Sequence, residues 1–95
     1  VQINGLELVD SFIRQQPGSA TALRRWIIIA SHTRWTNVSQ VKEFFGSADY
    51  VAPYTVFNIG GNKWRLISLI EYDLELVVIK DVLTHKKYNA GKWRR

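Results

Sequence analysis

Residues 57–67 read FNIGGNKWRLI, two runs of strand-forming residues that meet at Gly-Gly-Asn. Paired glycines allow the positive φ angles that a tight hairpin needs, so residues 52–59 and 63–72 are expected to pair as antiparallel strands. Moving outward, residues 73–75 make a second break, and 76–84, rich in Val, Ile and Leu, form a third strand. Residues 1–3 offer a possible edge strand. Upstream of residue 50 the period is helical. Leu6, Val9, Phe12 and Ile13 mark a helix over 5–16 that Pro17 and Gly18 stop, and Leu23, Trp26, Ile27 and Ala30 mark another over 20–31 with Ser19 as its N-cap. Asn37 with Gln40 resembles a capping box opening a third helix over 38–45, whose apolar side is Val41, Phe44 and Phe45 and whose end is Gly46. Helices followed by strands predict an α+β fold of two layers, with the N-terminal helices on one face of a small antiparallel sheet.

The 95 residues bound this to one domain, 1–95, with a single core, and 46% hydrophobic content is enough to build it. Thirteen Lys and Arg against eight Asp and Glu give a net charge of +5, which suits nucleic acid or an anionic surface. A solvated basic face explains the charge equally well. With no cysteine there is no disulfide framework, thiol nucleophile or thiolate metal site. The longest fully apolar run is 26–30, far short of the roughly 20 residues that a membrane span takes. Neither a membrane helix nor a secretory leader is expected. The last twelve residues, 84–95, carry five basic side chains and no acidic one.

Strand alternation puts Arg65, Ile67, Leu69 and Glu71 on one face and Trp64, Leu66, Ser68 and Ile70 on the other. Arg65 thereby stands on a rigid element beside the turn, where a guanidinium can grip a phosphate through two parallel hydrogen bonds. A surface ion pair with Glu71 is the competing reading. Asn62 suits a base edge or a sugar hydroxyl. Lys63 suits a phosphate, and a lysine stripped of its proton by burial can also act as a base. Residues 82–88 read VLTHKKY, ending a strand in His85 and Tyr88. Imidazole is the side chain that takes and gives protons near neutral pH, although a lone histidine also serves structure. Tyr88 offers a ring to stack or a hydroxyl to donate, or else a packing lid. His32, near the end of the second helix, reads as a partner for terminal carbonyls. Trp26, Trp35 and Trp64 read as core, and Trp93, in the basic tail, stays open to base stacking. Two histidines and no clustered carboxylates leave metal catalysis without a visible site.

The helical first half with Trp26, then FNIGGNKWRLI, then Ile-Glu-Tyr at 70–72, then VLTH with Tyr88, resembles the HigB toxins, a branch of the RelE-like bacterial mRNA interferases. The resemblance runs along nearly the whole chain. It implies the RelE-like fold with a cleft on the sheet's far side. It also implies a cytoplasmic bacterial endoribonuclease that cuts mRNA, generally on translating ribosomes, without a metal or small-molecule cofactor. The implied protein partner is HigA, a helix-turn-helix antitoxin. The implied reaction is attack of an RNA 2′-hydroxyl on its own 3′-phosphate, with His85 moving a proton, Arg65 and Lys63 stabilising phosphate charge, and Tyr88 and Asn62 orienting the nucleotide. Lys86, Lys87, Lys92 and Arg94 would then hold the RNA backbone. Whether His85 or Lys63 is the base stays open. The chain departs from the family's acidic pair around the tyrosine, THxEYD, with Lys87 and Asn89. A non-catalytic RNA- or ribosome-binding module and a structural interaction protein are the rival readings. Convergence of Arg65, His85 and Tyr88 in one cleft separates them.

Overall fold

Alternating and helical periods sort the chain into two layers in a computed structural model that describes residues 1–94. The order is β1 (Gln2–Asn4), α1 (Leu6–Gln15), α2 (Ala20–Ser31), α3 (Val38–Phe44), β2 (Asp49–Val51), β3 (Tyr54–Ile59), β4 (Trp64–Glu71), β5 (Leu76–Thr84) and α4 (His85–Ala90). Short 3-10 turns follow α1, β4 and α4, the last over Lys92–Arg94. The five strands lie in the order β1-β5-β4-β3-β2. The predicted α+β architecture and the three long antiparallel strands are present. No helix interrupts β3 or β4.

The sheet departs from the sequence reading at its edges. β1 pairs parallel to β5, with Ile3 opposite Val77, so the sheet is mixed rather than wholly antiparallel. The strand expected over 52–59 begins at Tyr54, because residues 52–53 form the turn of a further hairpin between β2 and β3, with a cis Ala52–Pro53 bond. Ser19 stands at the N-cap of α2, as expected, but makes no side-chain cap. It sits in the 3-10 turn with its hydroxyl donating 2.7 Å to the Gln16 carbonyl. Asn37 does cap α3, accepting from the Gln40 amide at 3.0 Å, while the Gln40 side chain accepts from the Thr36 amide at 2.8 Å. Phe44 is not on the buried side of α3; it is 52% exposed, because α3 packs inward through Val41 and Phe45.

Between the helices and the sheet lies an aromatic centre of Trp26, Trp35, Phe45 and Phe57, with ring centroids 5.2 to 6.4 Å apart. These tilted, edge-on and, for Trp35 with Phe57, stacked pairs add to burial. Among the described residues the buried indole nitrogens of Trp26 and Trp35 have no hydrogen-bond partner, which costs stability at both. In β4, Leu66 and Ile70 face this core, as alternation requires, and Ile67 faces away.

β5 keeps the same sidedness by carrying one residue too many. Ile67 pairs with Asp81 and Ser68 with Ile79, so Lys80 bulges and Val77, Ile79 and Val82 all reach the helical core. The far face holds a smaller cluster, Val56, Ile67 and Leu83, against which Tyr54, Tyr88 and Trp93 pack. Among the described residues no helix is long and apolar enough to cross a membrane.

Candidate active site

The β3–β4 turn and the start of α4 build the site together. Gly60 and Gly61 take φ of 61° and 72°. Gly60 is confined doubly, since a Cβ there would lie 2.5 Å from the Trp64 ring. The turn presents the Lys63 carbonyl, which accepts a 3.1 Å bond from the His85 amide. Thr84 caps α4 by accepting from the Lys87 amide at 3.3 Å, and Gly91 ends it at φ 78°. This six-residue helix has no apolar stripe to betray it in the sequence. It is made by its two caps and by the bond to the turn, and it fixes His85 beside β4.

Arg65 is the centre. Its residue is only 6% exposed. One terminal nitrogen donates to the carbonyls of Asn62 and Trp64 at 3.2 and 3.0 Å, and the other donates to the Asn62 side-chain oxygen and to Nδ1 of His85, the latter at 3.0 Å. Its guanidinium carbon stands 5.2 Å over the Tyr88 ring. Each acceptor is neutral. The expected alternative partner, Glu71, is exposed, and the ion pair found among the described residues is Arg34 with Glu75, away from this cluster. Among the described residues Arg65 is therefore a buried cation held by hydrogen bonds without a counter-anion.

The bond to His85 fixes a tautomer. A guanidinium has only donors, so Nδ1 must be the accepting nitrogen, and neutral His85 carries its proton on Nε2. Tyr88 stacks on Trp93 with centroids 4.9 Å apart and planes 16° apart, while the Trp93 indole donates 2.9 Å to the Tyr88 carbonyl. The Tyr88 ring is thus held by both a guanidinium and an indole. Trp93, left open by the sequence, thus belongs to the site's frame. Two aromatics flanking the helix-ending Gly91 were the available signal.

Arg65, His85, Tyr88 and Asn62 are brought together, but the Asn62 side chain is spent on Arg65 and positions it. Lys63 is not in this cluster. Its ammonium lies 5.7 Å over the Trp64 ring, on the side of the hairpin that faces the helices, and only its backbone touches His85. Lys86, Lys87, Lys92 and Arg94 are exposed on α4 and the turn after it, with Arg94 5.4 Å over Trp93. His32 closes α2 as expected, its Nδ1 donating 2.8 Å to the Ile28 carbonyl. Among the described residues no three metal-ligating side chains of the His, Cys, Asp or Glu type stand together.

Residues 19–91 match the family model of the HigB toxin, described as the RelE-like toxic component of a toxin-antitoxin system. The chain is also 35% identical over 52 residues to the mRNA interferase toxin HigB of Escherichia coli (strain K12). The same figures hold for the mRNA interferases HigB of Escherichia coli O157:H7 and Shigella flexneri. Each alignment covers 52% of this chain and 50% of the relative. The chain thus spans about half the length of the curated relatives it matches.

Proposed function

Because the chain belongs to the HigB toxin family, we propose that it is an endoribonuclease that cuts mRNA without a metal ion, on the translating ribosome, and is neutralised by a HigA-like antitoxin. The observation that carries the chemistry is Arg65, a nearly buried guanidinium with no counter-anion among the described residues, in contact with a histidine and a tyrosine. Burying a charge unpaired is costly, and a phosphate supplies the missing partner. Exposed Lys86, Lys87, Lys92 and Arg94 around this point favour a polyanion over a small acid.

In the proposed reaction the scissile phosphate takes the Arg65 donor that His85 holds in the free protein. Nδ1 of His85 is then released as a base for the 2′-hydroxyl proton. The 2′-oxygen attacks phosphorus, the bond to the 5′-oxygen breaks, and a 2′,3′-cyclic phosphate forms. In-line displacement puts the leaving oxygen on the far side of phosphorus, and Tyr88 is assigned to give it a proton. Arg65 stabilises the charge that builds on the phosphoryl oxygens, the largest single contribution in sites of this kind.

A second reading, a binding module without chemistry, draws on one observation. Lys63 stands apart, leaving His85 as the one imidazole at the site and with its accepting nitrogen occupied. The test is single-turnover cleavage of mRNA in a translating extract, with parent and His85→Ala protein. Cleavage to cyclic-phosphate ends by the parent, lost in the variant, is the expected result. Intact mRNA with the parent, under conditions where it binds ribosomes, establishes the second reading.

A further inference from the structure

On the side of the hairpin away from Arg65 runs an open groove of about 520 Å³, between α2, the end of α3 and the glycine turn. Arg25 and Lys63 stand at its rim, Trp64 and Phe44 line it, and no Asp or Glu is among its lining residues. Phe44 is 52% exposed although its neighbours Val41 and Phe45 pack inward. The missing Cβ of Gly60 lets the Trp64 ring lie against the turn, and Lys63 holds its ammonium over that ring. Aromatic surface beside cations, without acidic side chains, is how sequence-tolerant sites hold unpaired nucleotides, the base on the ring and the phosphate on the charge.

The groove and the candidate active site share the β3–β4 turn, Gly60, Gly61 and Lys63 lining the groove and Asn62 holding Arg65. Trp64 and Arg65 are successive residues of β4 and so face opposite sides of the sheet. The tip of the turn lies between the two sides, and a Cβ at Gly61 would meet nothing within 4 Å beyond its own chain neighbours. The proposed path of a strand leaving Arg65 crosses at Gly61, which itself adds no side chain.

We propose that this groove is a second RNA subsite, holding one unpaired nucleotide beyond the two that flank the cut bond, with Phe44 and Trp64 as its stacking surface and Arg25 and Lys63 as its phosphate contacts. The proposal rests on the endoribonuclease reading. It gives Lys63 a role in holding RNA at some distance from the proton transfer.

The probes are a 2′-O-methyl oligonucleotide of about eight residues, within the span one small domain covers, and a dinucleotide that fills only the cut step. Phe44→Ala is expected to weaken binding of the longer probe about five- to tenfold, in line with the loss of one stacked base. Arg25→Gln should lower its salt slope by about 0.7, the loss of one single-strand phosphate contact. Both side chains are exposed, so both variants should fold. Dinucleotide affinity should move less than about twofold. Unchanged affinity and slope for the longer probe overturn the proposal. So does an acidic peptide that displaces the probe from the parent and loses its own affinity in the variants, because the groove is then a protein dock. If Arg65→Met, which leaves this groove intact, cuts as fast as the parent, the endoribonuclease reading fails. If cutting is lost there while Phe44→Ala and Arg25→Gln bind as the parent does, only the groove assignment fails.

Discussion

Replacing Arg65 with methionine separates a buried charge kept for catalysis from one kept for the fold. The methionine stem fills much of the arginine's space, so packing beside Ile67 and Tyr88 is largely retained. The electrostatic change has two sides of comparable size. Removing a cation that is 6% exposed relieves a desolvation penalty of several kcal/mol. Four hydrogen bonds to neutral acceptors are lost, each worth about 1.5 to 3 kcal/mol when the donor is charged. Water recovers part of that loss, because Asn62 is exposed and His85 half-buried. The two sides nearly cancel, so stability should stay within about 1 kcal/mol of the parent, or about 4 to 8 °C in Tm for a domain of this size. Cleavage should fall about a thousandfold, since the guanidinium is asked for about 4 kcal/mol of transition-state stabilisation. Urea unfolding and single-turnover cleavage on programmed ribosomes measure the two. A loss of about 3 kcal/mol or more, typical of breaking a structural buried pair, would identify Arg65 as part of the fold. Cleavage within tenfold of the parent (about 1.4 kcal/mol) would end its role at the phosphate.

Three further expectations follow from the geometry. His85→Ala should slow cleavage about a hundredfold or more with RNA affinity within a few-fold, whereas His32→Gln, remote from the cluster, should leave the rate nearly unchanged; equal rates for parent and His85→Ala would remove His85 from proton transfer. Gly60→Ala should cost more stability than Gly61→Ala, about 1 to 3 kcal/mol against about 1, since both need positive φ but only Gly60 has an indole in the way; equal unfolding midpoints would contradict this. Burial, opposed by a hydrogen bond from Thr55, pushes the Tyr72 hydroxyl above its ordinary value of 10.0. The folded state then holds that proton more tightly, so its contribution is complete below the unfolded value and is lost as pH rises beyond about 10. Tm should fall more steeply there in the parent than in Tyr72→Phe, and parallel curves would rule the effect out.

Long elements were legible because their periods repeat: Leu23, Trp26 and Ala30 on α2, or Leu66 with Ile70 on β4, mark a buried face several times over. β2 has only three residues, Asp-Tyr-Val, too few to show a period. α4 reads HKKYNA and owes its existence to caps and a cross-chain bond, which no local hydrophobic pattern encodes. The bulge at Lys80 is a single extra residue whose effect appears only against its partner strand. At the site, the direction of Arg65 was legible because it stands on a strand, where direction follows from alternation, whereas the approach of His85 and Tyr88 to it depends on α4. The side taken by Lys63 was not legible, because it lies in a turn, where alternation says nothing about the side a long flexible chain will take.

The unequal covering of the two sheet faces has a consequence in time. α4 and the turn after it rest on Val56, Ile67 and Leu83, while the opposite face is sealed by the whole aromatic centre. Regions with little buried apolar surface open locally at a fraction of the global free energy. The C-terminal segment should therefore exchange its amide hydrogens through brief excursions that leave α2 and β3 closed, and His85 would part from Arg65 during each one. The free protein would then sample, unaided, the separation that a phosphate is proposed to stabilise. Amide exchange resolved by residue can observe this directly, and equal protection in α4 and α2 would show that the site moves only when everything does.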